Sequence, residues 1–186
     1  MRTNELAGMA AREISETVEK IREDKIDELI KKIQNAKKIY VSGAGRSLLI
    51  MRCLAMRLMH LGFESYVVGD TTTPAFEKKD LLILGSGSGE TGGLILTANK
   101  AKIIGGSVCV ITIKKESTLG RLADLTIEIP AYTAKVKYKD MKKSVLPSGS
   151  LFEESMLVLA DTIVVPLAKE KDISFEGEFS RHANLE

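Results

Sequence analysis

Five short apolar segments alternate with helix-like stretches along this chain, and this alternation constrains its fold more than any other feature. The segments are too short for helices and rich in aliphatic residues, which predicts buried strands. They begin near Ile39, Ser65, Leu81, Val108 and Leu125. Such alternation predicts an α/β fold with a five-stranded parallel sheet that is doubly wound, so that helices cover both faces. Ligands of such sheets bind outside the carboxyl ends of the strands, where the direction of winding reverses.

Two predicted amphipathic helices precede the first strand. Apolar residues recur in both at three-to-five-residue spacing, with polar residues between them. We assign residues 1–36 to an N-terminal helical arm that packs on the core or on another subunit. Residues 37–186 form the main domain, because a chain of 186 residues suits one domain with a single core.

Composition and charge exclude several functional classes. A formal net charge of +2 gives no field that favours nucleic acid or a membrane surface. No apolar run has the length of a membrane span, and we expect no secretory leader. Cys53 and Cys109 each lie in an apolar context, which predicts free buried thiols and a reducing cytoplasm. Only two histidines and no Cys/His cluster are present, so we expect no metal site.

The third predicted strand ends in a loop that suits a phosphate monoester. Glycine alternates there with Ser86, Ser88, Glu90 and Thr91, and a helical pattern follows. Small residues let main-chain N–H groups point into one concavity, while the hydroxyls and the helix N-terminus favour an anion. The alternative is a glycine-rich turn with capping hydroxyls. No Gly-Lys-Ser/Thr follows, so nucleoside triphosphate chemistry is not expected.

The first predicted strand also ends in a glycine-containing loop. Gly43 and Gly45 begin like a dinucleotide-binding fingerprint, but Leu48 stands where its third glycine would lie. No acidic residue ends the next strand directly either, so we reject NAD binding. If the sheet reverses between its first and third strands in chain order, residues 43–47 and 86–91 lie side by side and form one site.

Glu153 is the candidate general base of such a site. Helical spacing places it at the edge of the core-facing side of the last helix, while Glu154 falls nearly opposite, in solvent. A carboxylate bordering an apolar surface suits proton abstraction next to a carbonyl. The alternative, which the pattern leaves open, is that Glu153 only complements the positive end of the helix.

Three further polar residues are candidates. His182 lies in a polar tail beside Arg181, and it could open a sugar ring or polarise a carbonyl once the tail docks. His60 is late in an apolar helix, which favours a core or capping role. Arg46 follows the first loop and could bind phosphate or a sugar hydroxyl. A surface ion pair is the alternative for Arg46, and the helix dipole disfavours it there.

A long connector separates the fifth strand from the last helix. It runs from Pro130 to Pro147, and we interpret it as a solvated loop in preference to a lid or an interface arm. Its lysines are Lys135, Lys137, Lys139, Lys142 and Lys143.

Several of these motifs together resemble one family. Residues 43–47, 56–63, 73–74, 86–91, 152–153 and 181–186 are similar to those of the 6-phospho-3-hexuloisomerases, which are sugar isomerase (SIS) domain proteins. The resemblance covers the chain from about Ala36 to its end. It implies a single SIS domain, a flavodoxin-like three-layer sandwich. It also implies interconversion of D-arabino-3-hexulose 6-phosphate and fructose 6-phosphate without metal or cofactor, in a homotetramer with sites at subunit contacts.

The resemblance also implies roles for individual residues. The phosphate would be bound by Ser47, Ser86, Ser88 and Thr91, and the rest of the substrate by Gly45, Arg46, Gly87 and Gly89. Glu153 would move a proton through a cis-enediol, with His60 and His182 at or near the site. A hexulose-phosphate synthase would be the functional partner. Two alternatives remain: an aldose–ketose isomerase of the same fold acting on other phosphosugars, and a sugar-phosphate sensor without catalysis.

Overall fold

The computed structural model describes residues 2–133, 143–174 and 181–185. Its helices are α1 Thr3–Val18, α2 Glu23–Asn35, α3 Arg46–His60, α4 Gly92–Ile104, α5 Thr118–Leu122 and α6 Ser150–Glu170. Its strands are β1 Ile39–Gly43, β2 Ser65–Val67, β3 Leu81–Gly85, β4 Ser107–Thr112 and β5 Leu125–Glu128. The predicted alternation of strands and helices is therefore confirmed.

All five strands of the described sheet are parallel, in the order β2-β1-β3-β4-β5. The chain winds outward from β1 to β2 and then returns to place β3 on the other side of β1. The winding thus reverses between β1 and β3, which is the condition under which residues 43–47 and 86–91 lie side by side. Gly43 and Gly85 are paired at the carboxyl ends of these two strands, so the loops that follow them start side by side.

Helices cover both faces of the sheet and give three layers. On one face, side chains such as Val41 and Ile83 pack with α1, α2, α3 and α6. On the other face, Tyr40, Leu82 and Leu84 pack with α4 and α5. Alternate residues of each strand therefore enter different clusters, and the central strands are apolar throughout because both of their faces are buried. The N-terminal helices add Leu29 and Ile33 to the first cluster, and so pack on the core of their own chain.

Two helices have features that their sequences bear on. The apolar pattern of α3 predicts burial on two sides, the second by contact with another subunit; Leu49, Met56 and Met59 of its outer face are exposed in the single chain, so that contact stays a prediction. A proline inside a helix is expected to kink the helix or to end it early, yet α6 continues past Pro166 to Glu170. Proline removes one helical hydrogen bond. Burial of Leu167 beyond the proline stabilises the last turn and offsets that loss.

The two cysteines differ in burial, and the connector is described only at its ends. Cys109 is fully buried and free, and burial raises the pKa of its thiol to about 12. Cys53 is free but only half-buried, so full burial holds for one thiol of the two. The interpretation of the connector as a solvated loop is wrong at its two described ends, where Ala131 and Thr133 are buried and the Val145 N–H donates to Glu13 Oε1 at 3.1 Å. The lysines at positions 135, 137, 139 and 142 lie outside the described residues. Within the described ranges, no helix is long and apolar enough to cross a membrane.

Candidate active site

A cavity of about 330 Å³ opens at the carboxyl ends of β1 and β3. Its walls are the β1–α3 loop, the β3–α4 loop and the start of α6. Three helices begin at this cavity, and Ser47 of α3, Thr91 at the cap of α4 and Ser150 of α6 all line it. Each helix N-terminus carries partial positive charge and unpaired N–H groups. Their convergence favours an anionic ligand such as a phosphate ester.

The β3–α4 loop is held in shape by its own serine. Ser86 is buried, and its hydroxyl accepts a hydrogen bond from the Gly89 N–H at 3.2 Å. The same hydroxyl lies 3.4 Å from that of Thr91. The Ser88 hydroxyl accepts from the Glu90 N–H at 3.3 Å. These bonds curl the loop so that Ser86, Ser88 and Thr91 line one cavity, as predicted.

Several main-chain donors of this loop remain available to a ligand. The N–H groups of Gly87, Ser88 and Thr91 donate to no acceptor within the described part of the chain. All three residues line the cavity. These three residues are half-buried at the cavity wall, so their N–H groups are accessible to a ligand. An anion in the cavity is therefore a suitable acceptor for them.

Gly89 shows why a small residue is needed in this loop. It has φ +65°, and a Cβ there would lie 2.0 Å from the Ser117 Oγ. The loop thus rests directly on the start of α5, where the Leu119 N–H donates to the Gly89 carbonyl at 3.0 Å. Glu90 reinforces this contact by accepting from the Thr118 N–H at 3.0 Å. Hydrogen bonding from Thr118 lowers the pKa of Glu90. Gly89 and Glu90 therefore shape the loop and do not line the cavity.

The β1–α3 loop forms the opposite wall. Gly45 caps α3 with φ +56° and ψ −133°, a conformation that favours glycine. Ser47 follows in the first turn of α3 and is largely buried, yet it still lines the cavity. The two glycine-containing loops thus meet at one site, as the position of the reversal predicts.

Glu153 and Arg46 form an ion pair at the rim of the cavity. The Arg46 Nε donates to Glu153 Oε2, and Arg46 Nη2 donates to Glu154 Oε1 at 3.0 Å. The Glu153 side chain is 15% exposed, whereas that of Arg46 is 56% exposed. Hydrogen bonding and Coulombic attraction to Glu153 raise the pKa of Arg46. A carboxylate so placed can reach a ligand in the cavity while the guanidinium fixes its orientation.

This arrangement corrects two inferences from the sequence. The ion pair that was disfavoured for Arg46 is present, because α6 brings two carboxylates to the start of α3. Glu154 does not stand apart in solvent, since its side chain is 39% exposed and bound to the same guanidinium. The attraction of the two carboxylates outweighs the weaker helix dipole.

The two histidines lie together, away from this cavity in their own chain. The buried His60 ring stacks on the His182 ring with centroids 5.2 Å apart. The tail reaches this point because Arg181 packs over Gly62, where an added Cβ would lie 2.5 Å from its Nη1. His60 ends α3 and Arg46 begins it, so the helix separates them by about 21 Å. The structure brings the histidines to each other but not to Glu153 of the same chain.

Other lining residues were not singled out from the sequence as site residues. Thr133, Ser148 and Ser150 lie on the connector and at the start of α6, and all three line the cavity. Ile113 and Phe152 supply apolar walls. Residues 148–150 are small and polar and precede a helix, as do residues 86–91, and this shared pattern is the signal that could have identified them. Within the described residues, no group of three metal-ligating side chains is assembled.

The chain is similar to known proteins over its whole length. A family model described as the SIS domain matches residues 32–153. A 3-hexulose-6-phosphate isomerase of Bacillus subtilis is 40% identical over 186 residues, covering 100% of both chains. A 3-hexulose-6-phosphate isomerase of Methanocaldococcus jannaschii is 45% identical over 162 residues, covering 87% of this chain and 84% of its own.

A solved structure agrees with these relatives. It is that of a Methanococcus jannaschii protein for which the molecular function of a 3-hexulose-6-phosphate isomerase was inferred. Its TM-score is 0.84 at 39% identity, and the match covers 98% of this chain and 99% of that one. The chain therefore belongs to the SIS-domain family, which confirms the resemblance drawn from its motifs. Within that family, it is similar to proteins named 3-hexulose-6-phosphate isomerase.

Proposed function

We propose that this chain is a phosphosugar isomerase that interconverts D-arabino-3-hexulose 6-phosphate and fructose 6-phosphate. The observation that carries the proposal is the position of Glu153 on the wall of a cavity whose other walls suit a phosphate. Its similarity to relatives named for this activity supports the choice of substrate. A carboxylate beside a bound ketose phosphate is what proton transfer between adjacent carbons requires.

In the proposed reaction, one part of the cavity binds the phosphate and another part transfers the proton. The phosphate binds to the hydroxyls of Ser47, Ser86, Ser88 and Thr91 and to the main-chain donors of residues 87, 88 and 91. Glu153 takes the proton from C2 of the 3-ketose, which gives a cis-enediol across C2 and C3. Glu153 then returns that proton to C3, while the hydroxyl proton moves between O2 and O3. The carbonyl thereby passes from C3 to C2 with no net gain or loss of atoms or electrons.

Arg46 positions the base in this scheme. Its Nε bonds one oxygen of Glu153 and leaves the other oxygen for the substrate. Its remaining donors lie at the cavity rim, where they can bind a sugar hydroxyl. Gly45 and Gly87 line the same cavity and let the sugar approach the main chain, while Gly89 acts through the shape of its loop.

In this proposal, the two histidines contribute to the active site of a neighbouring subunit. His60 and His182 are remote from Glu153 of their own chain, so a role in catalysis requires that a neighbouring copy supplies them. Exposed apolar side chains on the outer faces of α3 and α6 support self-association, as expected of a homotetramer with sites at subunit contacts. They are Leu49, Met56, Met59, Val158 and Val165. A surface of this kind commonly marks a protein interface.

The proposed reaction also suggests its setting. A hexulose-phosphate synthase would supply the 3-ketose by joining formaldehyde to a pentulose phosphate, as in the ribulose monophosphate pathway. The reverse direction would supply pentose phosphate. Free thiols at Cys53 and Cys109 agree with a cytoplasmic location.

A substrate panel tests the proposal. Purified protein is incubated with D-arabino-3-hexulose 6-phosphate and, separately, with pentose and heptose phosphates, and the products are measured by coupled assay. We expect turnover of the hexulose phosphate at the highest kcat/KM. A higher kcat/KM on another phosphosugar would assign the chain to a different isomerase. Tight binding of fructose 6-phosphate without turnover of any sugar would indicate a sensor.

A further inference from the structure

A second concavity lies at the opposite end of the sheet from the candidate active site. Its volume is about 380 Å³, and it is bordered by the end of α2 and by the chain that enters β3 and β4. Four lysines line it, Lys31 and Lys32 of α2 with Lys78 and Lys79 before β3. We call these four residues and the space between them the lysine pocket. Nothing in the proposed isomerase reaction uses it.

The lining of the lysine pocket carries more positive than negative charge, with four lysines against Glu28 and Asp80. Lys31, Lys78 and Lys79 are exposed and form no ion pair with any residue that the structure describes. Lys32 donates to the uncharged Ser107 hydroxyl at 3.3 Å. Lysines of two segments therefore border one open depression, and like charges that lie near one another raise its electrostatic cost. A bound anion would lower that cost.

The two acidic residues at the pocket are engaged elsewhere. Glu28 forms an ion pair with Lys25 at 2.8 Å. Asp80 is buried and accepts from the main-chain N–H groups of Lys38 at 3.2 Å and Glu77 at 2.7 Å. It also lies 3.5 Å from the Lys38 ammonium. Both carboxylates thus have other partners, so the four lysines keep their charge for a ligand.

We propose that the lysine pocket binds a small metabolite that carries at least two phosphate groups. Ammonium groups on flexible stems bind phosphate as point charges from several directions. Four of them exceed what a single phosphate monoester would neutralise. The volume suits a small molecule, and the concave shape with lysines from two segments suits one compact polyanion. This ligand differs in charge and place from the monophosphorylated substrate of the active site.

Calorimetric titration with pyrophosphate tests this site on the full chain. We expect K78Q/K79Q to weaken pyrophosphate binding by about tenfold or more, because the double variant removes two of the four positive charges that line the pocket. The matched control is K100Q/K169Q, which removes two exposed lysines outside the pocket. Any binding of pyrophosphate in the active site is the same in both variants, so their difference reports the lysine pocket alone. Thermal melting checks that both variants are folded.

Three outcomes would overturn the proposal. The first is equal pyrophosphate affinity in K78Q/K79Q and K100Q/K169Q. The second is wild-type binding of inorganic phosphate as tight as that of pyrophosphate, which would remove the requirement for two phosphate groups. The third is tighter binding of a polyglutamate peptide than of pyrophosphate, which would assign the pocket to an acidic protein segment. None of these measurements involves turnover, so failure of the isomerase assay would leave this result intact.

Discussion

The Arg46 guanidinium donates a hydrogen bond to the carboxylate of Glu153 at the rim of the cavity. This bond joins the first turn of α3 to the first turn of α6, two elements more than a hundred residues apart in the chain. Its second branch reaches Glu154, so that one cation is shared by two adjacent carboxylates. The shared cation fixes the orientation of Glu153 and leaves one of its oxygens unbound by Arg46.

Replacing the proposed base removes turnover while the ligand still binds. We expect Glu153→Gln to lower kcat by at least about a hundredfold, the lower end of what general base catalysis contributes. The affinity for fructose 6-phosphate, measured by calorimetry, stays within about threefold, since the amide preserves the size of the side chain. Glu154→Gln is the matched control because it shares Arg46 but does not line the cavity. Normal turnover in Glu153→Gln would remove Glu153 from the mechanism.

Removing one loop hydroxyl weakens binding of the phosphate. We expect Ser88→Ala to reduce the affinity for fructose 6-phosphate by about 1 kcal/mol or more, a factor of about five, because the ester loses one donor. Thr72→Ala serves as the control, since that residue is exposed and does not line the cavity. Affinity is again measured by calorimetry. An unchanged dissociation constant in Ser88→Ala would place the phosphate elsewhere.

Mixed oligomers test whether a neighbouring subunit supplies His182. Glu153→Gln and His182→Ala chains are each expected to be inactive, whereas chains co-refolded in equal amounts recover activity. Random pairing in a symmetric contact leaves about a quarter of the sites with both groups intact. The exposed His182 is preferred for this test because His60 is buried and its loss would disturb packing. Activity no greater than the sum of the separate variants would contradict a shared site.

Thiol labelling tests the burial of Cys109. Burial raises the pKa of Cys109 to about 12, so its thiol stays protonated between pH 8 and 10, whereas an unfolded cysteine ionises near pH 9. The folded protein should therefore lose stability as pH rises from about 9 towards 12, because only the unfolded state releases that proton.

In a Cys53→Ser variant we expect no labelling by a disulfide reagent at pH 8 until denaturant is added. Rapid labelling of the native variant would contradict this expectation.

Local sequence patterns were sufficient to predict the sheet and the small-residue loop that follows β3. Strands such as β3 are buried on both faces, so an unbroken apolar run predicts them without knowledge of the partners. The shape of the loop that contains Ser86 and Ser88 can likewise be predicted from local sequence, because it depends on glycines within the same few residues. The sequence set only a condition for the two loops to meet, a reversal between β1 and β3, and the order of the strands in the structure fulfils it.

Features that depend on distant parts of the chain could not be predicted. The ion pair of Arg46 was missed because its carboxylates arrive with α6, whose placement no local pattern reports. Continuation of α6 beyond Pro166 depends on burial of Leu167 against the rest of the core. The stacking of His60 on His182 likewise requires the tail to return to the end of α3. Each of these is a tertiary effect that overrides a local preference.

The three helix N-termini at the cavity belong to parts of the chain that can change independently. Most of the surfaces proposed to hold the phosphate come from the turns after β1 and β3, whereas Glu153 arrives on a helix far downstream. Substitutions in the first turn of α6 could therefore alter or abolish the reaction while recognition of the phosphate survives. A scaffold divided in this way can give rise to an enzyme with new selectivity, or to a ligand-responsive protein that has lost its chemistry.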